Sequence, residues 1–86
     1  MSRLGKDKES KIKEQILEVL YTSFPKMFYT KELADEVLRK DEFILKLLLE
    51  LKKNDLLNSY EEKKGRGIRR KWSMSQKVYE EYKKLY

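Results

Sequence analysis

Basic side chains are concentrated in one short segment of the sequence. Residues 63–77 (KKGRGIRRKWSMSQK) contain seven Lys or Arg residues and no Asp or Glu, although the whole chain nets only +6. Ammonium and guanidinium groups clustered in this way attract a polyanion. The segment therefore indicates phosphate binding, and a solvated hairpin tip without any partner is the alternative interpretation.

Other kinds of chemistry lack the side chains they need. The sequence contains no cysteine and no histidine, which excludes disulfides, the usual zinc, iron and copper sites, and Ser-His or Cys-His nucleophile pairs. Since no phosphate-cradling loop or carboxylate cluster is evident either, we expect no enzymatic activity, no metal and no cofactor. No apolar run approaches the ~18–20 residues of a membrane span, and the charged N-terminus is unlike a secretory signal. We therefore expect a cytoplasmic protein.

An amphipathic helix is expected near the start of the chain. Ile12, Ile16 and Leu20 recur at intervals of four, which places them on one face of a helix. Ser10 is the expected N-cap, and Pro25 ends the helix because it disfavours the helical conformation of the residue before it. Residues 1–9 are highly charged, and we expect a flexible charged arm there, ahead of one domain at 10–86.

Two short helices joined by a tight turn should follow a short strand at 27–29. Thr30 is the expected cap of the first helix, whose buried residues include Leu38. Asp41 is the expected cap of the second helix, at 41–54. An Asn-Asp pair is expected to end that helix in the left-handed conformation, which both residue types tolerate.

A basic hairpin and a final helix complete the expected order. Strands at 56–62 and 68–74 flank a turn that contains two glycines. In the second strand Trp72 shares one face with Ile68 and Met74, so we expect it in the core, and a base-stacking platform is the alternative. Arg70 shares the face of Trp72, and we expect it to stack on an aromatic ring or to extend along apolar surface. Ser75 is the expected cap of the last helix.

This order, together with three motifs, resembles the winged helix-turn-helix family. The segment TKELA at 30–34 looks like the start of the family's positioning helix. The segment LLELKKNDLL at 48–57 is similar to the "L..L...GL" end of its recognition helix, with Asp55 in place of the usual glycine. The segment GRGIRRKWSMS at 65–75 is similar to the "GR.R..Y.LT" wing of small bacterial and archaeal transcription regulators. The resemblance implies an α+β fold with a three-helix core, a two- to three-stranded wing and a C-terminal helix.

The same resemblance implies a transcriptional regulator that binds double-stranded DNA sequence-specifically. The helix at 41–54 would lie in the major groove, and the wing at 63–71 would contact phosphates or the minor groove. Steps of 100° per residue from the apolar stripe place five residues on the outward side of that helix: Glu42, Lys46, Leu49, Glu50 and Lys53. The wing candidates are Lys63, Lys64, Arg66, Arg69, Arg70 and Lys71. Arg66, between two glycines at the tip, is the expected minor-groove contact.

The mixed charge of the outward side leaves its role open. Lys, Glu and Leu side chains can each read a base edge. Alternatively, Glu42 pairs with Lys46, and Glu50 with Lys53, on a solvated surface. Residues 28–62 carry nine acidic and six basic groups, so a protein-interaction module of a transcription or replication assembly stays open as an alternative function. Nonspecific nucleic-acid binding is a further alternative.

The last helix is rich in tyrosine. Tyr79, Tyr82 and Tyr86 exceed what a monomer of this size must bury. Many regulators of the winged-helix family dimerise through their first and last helices, so the resemblance favours a homodimer. The alternative is that the three rings lie flat over a thin core.

Overall fold

The structure is a computed structural model that describes the backbone of residues 2–85 and the side chains of residues 8–63 and 65–85. Its elements, in chain order, are α1 (Ser2–Thr22), β1 (Phe28–Tyr29), α2 (Thr30–Glu36), α3 (Asp41–Lys53), β2 (Leu57–Lys64), β3 (Gly67–Met74) and α4 (Gln76–Leu85). The strands form one antiparallel sheet in the order β1-β3-β2. The expected order of helices and strands is therefore observed. None of the helices between residues 2 and 85 is long and apolar enough to cross a bilayer.

Helix α1 is longer than expected. It begins at Ser2 rather than after Ser10, and it ends at Thr22, just before the proline-containing turn. Five of the eight residues at 2–9 are Arg, Leu, Lys or Glu, which favour helix, and the one glycine among them costs only about 1 kcal/mol. Residues 2–9 are thus helical, while a flexible arm at 1–9 and a domain boundary at residue 10 stay predictions. Met1 lies outside the described residues.

The expected caps of α2 and α3 lie one residue inside the helices. Thr30 and Asp41 are the first helical residues rather than the caps. In α2 the Glu32 carboxylate accepts the Tyr29 backbone N–H at 2.8 Å, which leaves the Thr30 hydroxyl available to another partner. Ser75 does cap α4, since its Oγ accepts the backbone N–H three residues later at 3.3 Å.

Helices α2 and α3 end in the same left-handed way. Leu38 has a φ of 56° and Asp55 a φ of 62°, and the expected left-handed end of α3 is thereby observed at Asp55. After α2, the Arg39 N–H donates to the Ala34 carbonyl at 3.0 Å, and the equivalent bond after α3 is also 3.0 Å.

Leu38 was expected in the core, and this expectation is wrong, since the side chain is 81% exposed. The residue occupies the position after the last helical turn, where the positive φ breaks the helical periodicity. Its side chain therefore leaves the apolar face that the spacing of α2 predicts.

The core lies between the helices and one face of the sheet. Its largest fully buried side chains are Trp72, Ile16, Leu20, Leu33, Ile44, Leu47, Leu48 and Met74. Each buried aliphatic side chain of this size stabilises the fold by roughly 1.5–3 kcal/mol relative to exposure. The expected core position of Trp72 is confirmed.

Strands β2 and β3 form a hairpin that extends beyond the core. The pairing runs from Leu57 opposite Met74 to Lys64 opposite Gly67, so the turn is shorter than expected. Only two residues form the loop, and Gly65 there has a φ of 60°, which is typical of tight hairpin turns. Along β3 the last three residues are buried and the first three are exposed. The outer half of the hairpin therefore projects into solvent and carries the wing.

Candidate nucleic-acid interface

A hydrogen bond to α2 fixes the base of the hairpin. The indole N–H of Trp72 donates to the Thr30 hydroxyl at 2.9 Å. Because the Trp72 ring is fully buried, this bond satisfies a donor that water cannot reach. The residue that anchors β3 in the core thus also sets the position of the hairpin relative to the first turn of α2.

The strand register gives the hairpin two faces. The inner face continues the core face of the sheet: Phe28, Leu57, Ser59, Glu61, Lys63, Ile68, Arg70, Trp72 and Met74. The outer face carries the alternate residues: Tyr29, Asn58, Tyr60, Glu62, Arg69, Lys71 and Ser73. Arg69 and Lys71 share one face, as the alternation predicts.

On the inner face, Arg70 lies against a carboxylate. Its Nε is 3.7 Å from Oε1 of Glu61, the residue opposite it in the register. Among the described residues, Arg70 lies beside this carboxylate and not over an aromatic ring, because the cross-strand glutamate offers the guanidinium an opposite charge. The alternative, that Arg70 extends along apolar surface, stays a prediction. Farther out on this face, Ile68 is 60% exposed.

On the outer face, Glu62 contacts two neighbours. Glu62 Oε2 lies 3.1 Å from Lys71 Nζ and accepts the Tyr29 hydroxyl at 3.0 Å. The Arg69 guanidinium lies 5.1 Å from the centroid of the Tyr29 ring, and Lys71 Nζ lies 5.3 Å from it. The hydrogen bond and the negative charge of Glu62 raise the pKa of Lys71 above its usual 10.5.

The cations at the tip of the hairpin are arranged differently. Lys63 and Arg66 are exposed, and no ion pair joins either of them to another side chain that the structure describes. Lys64 lies opposite Gly67 in the register, and its side chain is outside the described set. Unpaired positive charge is thus found at the tip, while the cations nearer the core have carboxylate or aromatic neighbours.

The pairing partners within the hairpin were missed in the sequence. Glu61 and Glu62 precede the basic segment, so they do not reduce its apparent charge when residues are counted along the chain. Only the register brings them opposite Arg70 and Arg69. The two-residue turn implied by GRG was the signal that could have found this register.

The candidate reading residues of α3 divide into two groups. Lys46 Nζ lies 3.7 Å from Glu9 Oε2, and Glu50 Oε1 lies 3.6 Å from Lys13 Nζ. Both partners are on α1, so the expected pairs within α3 are replaced by pairs between helices. Glu50 Oε2 is buried and accepts no hydrogen bond from the described residues.

The other three candidates of α3 are not paired with described residues of α1. Glu42 and Lys53 are exposed, and Leu49 is 42% exposed. None of them forms an ion pair with a side chain in the described ranges. The sequence signal for the pairing between α1 and α3 is that Glu9 and Lys13 are four residues apart, as are Lys46 and Glu50, with the charges in the opposite order. It becomes readable only once α1 is known to extend before Ser10.

A cleft separates the wing from the starts of α2 and α3. It has a volume of about 440 Å³. Its lining consists of Tyr29, Thr30, Lys31, Glu32, Asp35, Asp41, Ile68, Arg69 and Arg70. Three carboxylates and three cations are present among these residues, so the formal charges of the cleft cancel. Net attraction for a polyanion must therefore come from the tip.

The aromatic residues of α4 pack against α1 and the turn that follows it. Tyr79 stacks on Phe24 with ring centroids 4.0 Å apart. Tyr21 of α1 lies 5.4 Å from Tyr79 and 5.7 Å from Tyr82. Tyr86 is outside the described residues. Contacts within one chain thus account for part of the tyrosine surplus, and the homodimer stays a prediction.

Comparisons with known proteins bear on the fold. No protein-family model and no curated protein matches the sequence. A structure of a ZitR mutant from Lactococcus lactis in apo form is similar, with a TM-score of 0.70 and 17% identity, over 96% of this chain and 60% of that chain. A second L. lactis ZitR structure, of a zinc-responsive MarR family member, has a TM-score of 0.63 and 20% identity, over 85% of this chain and 50% of that chain.

These similarities confirm the winged helix-turn-helix fold that the sequence predicts. The chain spans at most 60% of the ZitR chains it matches, so the activity of a whole ZitR protein is not shown for it. In the described part of this chain, no group of three or more His, Cys, Asp or Glu residues is placed to hold a metal ion.

Proposed function

We propose that this protein is a transcriptional regulator that binds double-stranded DNA and has no enzymatic activity. The observation that carries the proposal is the unpaired positive charge of Lys63 and Arg66 on a projecting two-residue turn, on the same fold as ZitR. A narrow cationic ribbon of this kind fits between the phosphates that border a minor groove.

The pairing of the wing cations lowers the expected salt dependence of binding. If all the wing cations released counterions, the slope of log affinity against log salt would be near −5. Arg70 and Lys71 already face carboxylates at 3.7 and 3.1 Å, so they neutralise phosphate less fully. With Lys63, Lys64, Arg66 and Arg69 as the effective contacts, the slope should be about −3 to −4.

In this proposal, α3 reads bases through its accessible residues. Glu42 can accept from a cytosine amino group, Leu49 can contact a thymine methyl, and Lys53 can reach a guanine or a phosphate. Lys46 and Glu50 are engaged by α1 at 3.7 and 3.6 Å and contribute less. Asp41 and Glu42 place negative charge at the start of α3. The long-range electrostatic attraction of DNA therefore comes from the wing.

Selection of bound duplexes from a random pool, followed by anisotropy titrations at two salt concentrations, tests the proposal. A shared sequence should be enriched, and Arg66→Ala should weaken binding to it at least tenfold. Lys84→Ala on α4 is the matched control, since it removes one exposed cation far along the chain from the wing. Absence of an enriched sequence, or equal affinity of both variants, would overturn the proposal.

We propose, in addition, that the regulator is a homodimer through α1 and α4. A groove between these helices is lined by Glu14, Glu18, Tyr21, Thr22 and Tyr82, and its aromatic floor favours a second chain over solvent. Sedimentation equilibrium of the full chain should give twice the 10.5 kDa monomer mass. A monomer at tens of micromolar would contradict the proposal.

A protein-interaction module is the second candidate function. The balanced charges of the cleft and the exposed Leu38 and Leu49 favour it, because neither feature attracts a polyanion. Stoichiometric co-purification of one partner, together with no measurable duplex affinity at low salt, would replace the first proposal with this one.

A further inference from the structure

One row of side chains crosses all three strands on the outer face. Tyr29 of β1 and Tyr60 of β2 both lie opposite Lys71 of β3. Neighbouring strands are ~4.8 Å apart, so the two tyrosines start roughly 10 Å from each other with the lysine between them. An aromatic, a cation and a second aromatic are thus aligned across the sheet.

The two aromatic positions differ in what covers them. Tyr29 already has the Arg69 guanidinium 5.1 Å from its ring centroid, so the planar guanidinium extends the aromatic surface outward. Tyr60 is 49% exposed and is not among the aromatic residues that pack against the core. A large ring left in solvent on a regular strand has no structural role that the described contacts provide.

Lys71 is held in place between these two positions. Glu62 lies 3.1 Å from its ammonium group and also accepts the Tyr29 hydroxyl at 3.0 Å. An ammonium group has three donors, and Glu62 engages it from one side. The lysine therefore has capacity for an anion, and its orientation is set before any ligand binds.

We propose that the outer face of the sheet binds a single-stranded nucleic acid, with one base stacked on Tyr60, a second base on the Arg69–Tyr29 pair, and Lys71 on the phosphate between them. Aromatic rings on an open sheet combined with cations are the features by which proteins bind unpaired bases. A duplex does not fit this face, because its bases are stacked inside and cannot lie on the rings. The inference goes beyond the proposed duplex binding, which uses the tip of the wing and α3 and shares Arg69 with this face.

Anisotropy titrations with labelled unstructured 12-nucleotide DNA and RNA strands test the inference on the full chain. Tyr60→Ala should bind either strand roughly tenfold more weakly, since one stacked base is lost. Tyr60→Phe keeps the ring and should stay within twofold of the parent protein. An abasic strand of equal length and charge should bind to the parent as weakly as the normal strand binds to Tyr60→Ala.

The same titrations separate this inference from duplex binding. Tyr60→Ala should leave duplex affinity unchanged, whereas Arg66→Ala should weaken duplex binding more than single-strand binding. A preference for RNA or for DNA identifies the strand type, and either preference supports the site. Equal binding of the abasic and the normal strand would overturn the inference, because charge alone would then account for the affinity.

Ultraviolet cross-linking of the unaltered protein guards against a folding artefact in the variants. Peptide mapping should locate the cross-linked base on Tyr60 or Tyr29. Cross-links found only on the wing tip or on α3 would overturn the inference even if Tyr60→Ala bound weakly.

Discussion

The wing and α3 carry the two sets of candidate DNA contacts, and they differ in where their charges are paired. In the wing, the cations near the core have carboxylate neighbours on the adjacent strand, whereas Lys63 and Arg66 at the tip form no ion pair with a described side chain. In α3, Lys46 and Glu50 are paired with α1, whereas Glu42, Leu49 and Lys53 are exposed and have no ion pair with a described side chain. Charges counted along the chain therefore overestimate the unpaired positive charge of the wing. They also give Lys46 and Glu50 of α3 the wrong partners. Spatial neighbours decide which charges a ligand meets.

The largest effect is expected from the free cations of the tip. Replacing Lys63 and Arg66 by Ala should reduce duplex affinity roughly 100-fold at low salt and lower the magnitude of the salt slope by about 2, since two phosphate contacts are lost. The matched double variant, Arg70→Ala with Lys71→Ala, removes the same charge from the paired positions. It should lower the slope by less than about 1. Equal losses in the two variants would show that pairing with Glu61 and Glu62 has no consequence for binding.

The attachment of the hairpin to α2 should have the next largest effect. Thr30→Val keeps the shape of the side chain but removes the acceptor of the buried Trp72 N–H. An unsatisfied buried donor costs about 1–3 kcal/mol in the free energy of unfolding, which urea denaturation measures. Thr22→Val is the control, because the Thr22 hydroxyl bonds only carbonyls of its own helix and is exposed. A loss no larger than that of the control would mean that the indole bond does not fix the hairpin.

The fold was more predictable from the sequence than the candidate site. Apolar spacing, Pro25, Ser75 and the Asn-Asp stop are local signals, and each placed an element or its end within a few residues. Leu38 fits the apolar spacing of α2 and was therefore expected in the core, but the backbone turns left-handed there. The left-handed end of α2 lacks the glycine that usually marks such a residue.

The sequence predicts which residues form the candidate site, but not all of the ion pairs that those residues make. The basic wing, the shared face of Arg69 and Lys71, and the core role of Trp72 follow from alternation along one strand. The partner of Arg70 follows once the two-residue turn fixes the hairpin register. The partners of Lys46 and Glu50 lie on α1, at sequence distances that no helical or strand period encodes. Pairing between helices is a tertiary property, so a single sequence leaves it open. The roles of the candidate residues in DNA binding stay predictions.

A smaller effect is expected from the ion pairs between α1 and α3. Lys46→Glu places like charges beside Glu9 and should destabilise the protein by about 0.5 kcal/mol, and adding Glu9→Lys should restore most of this. A double-mutant cycle in urea gives the coupling, which should fall toward zero at 1 M salt because screening is then nearly complete. Lys52→Glu, at an exposed position of the same helix, is the control. If the restored pair also left duplex affinity unchanged, Lys46 would be excluded as a base contact.

The smallest effect concerns the proton of Lys71. Glu62 raises the pKa of this lysine above 10.5, so the charged form is favoured in the folded chain. The stabilisation is fully present below the unfolded pKa and is lost as pH rises through the higher folded value. Glu62→Gln removes the negative charge, and the NMR titration of the Lys71 ε-methylene protons should then move to lower pH. A titration unchanged by Glu62→Gln would show that Lys71 is not held by Glu62. The outer face would then lack an oriented cation. Pairing of a cation with a carboxylate would then be a feature of α3 and less of the wing.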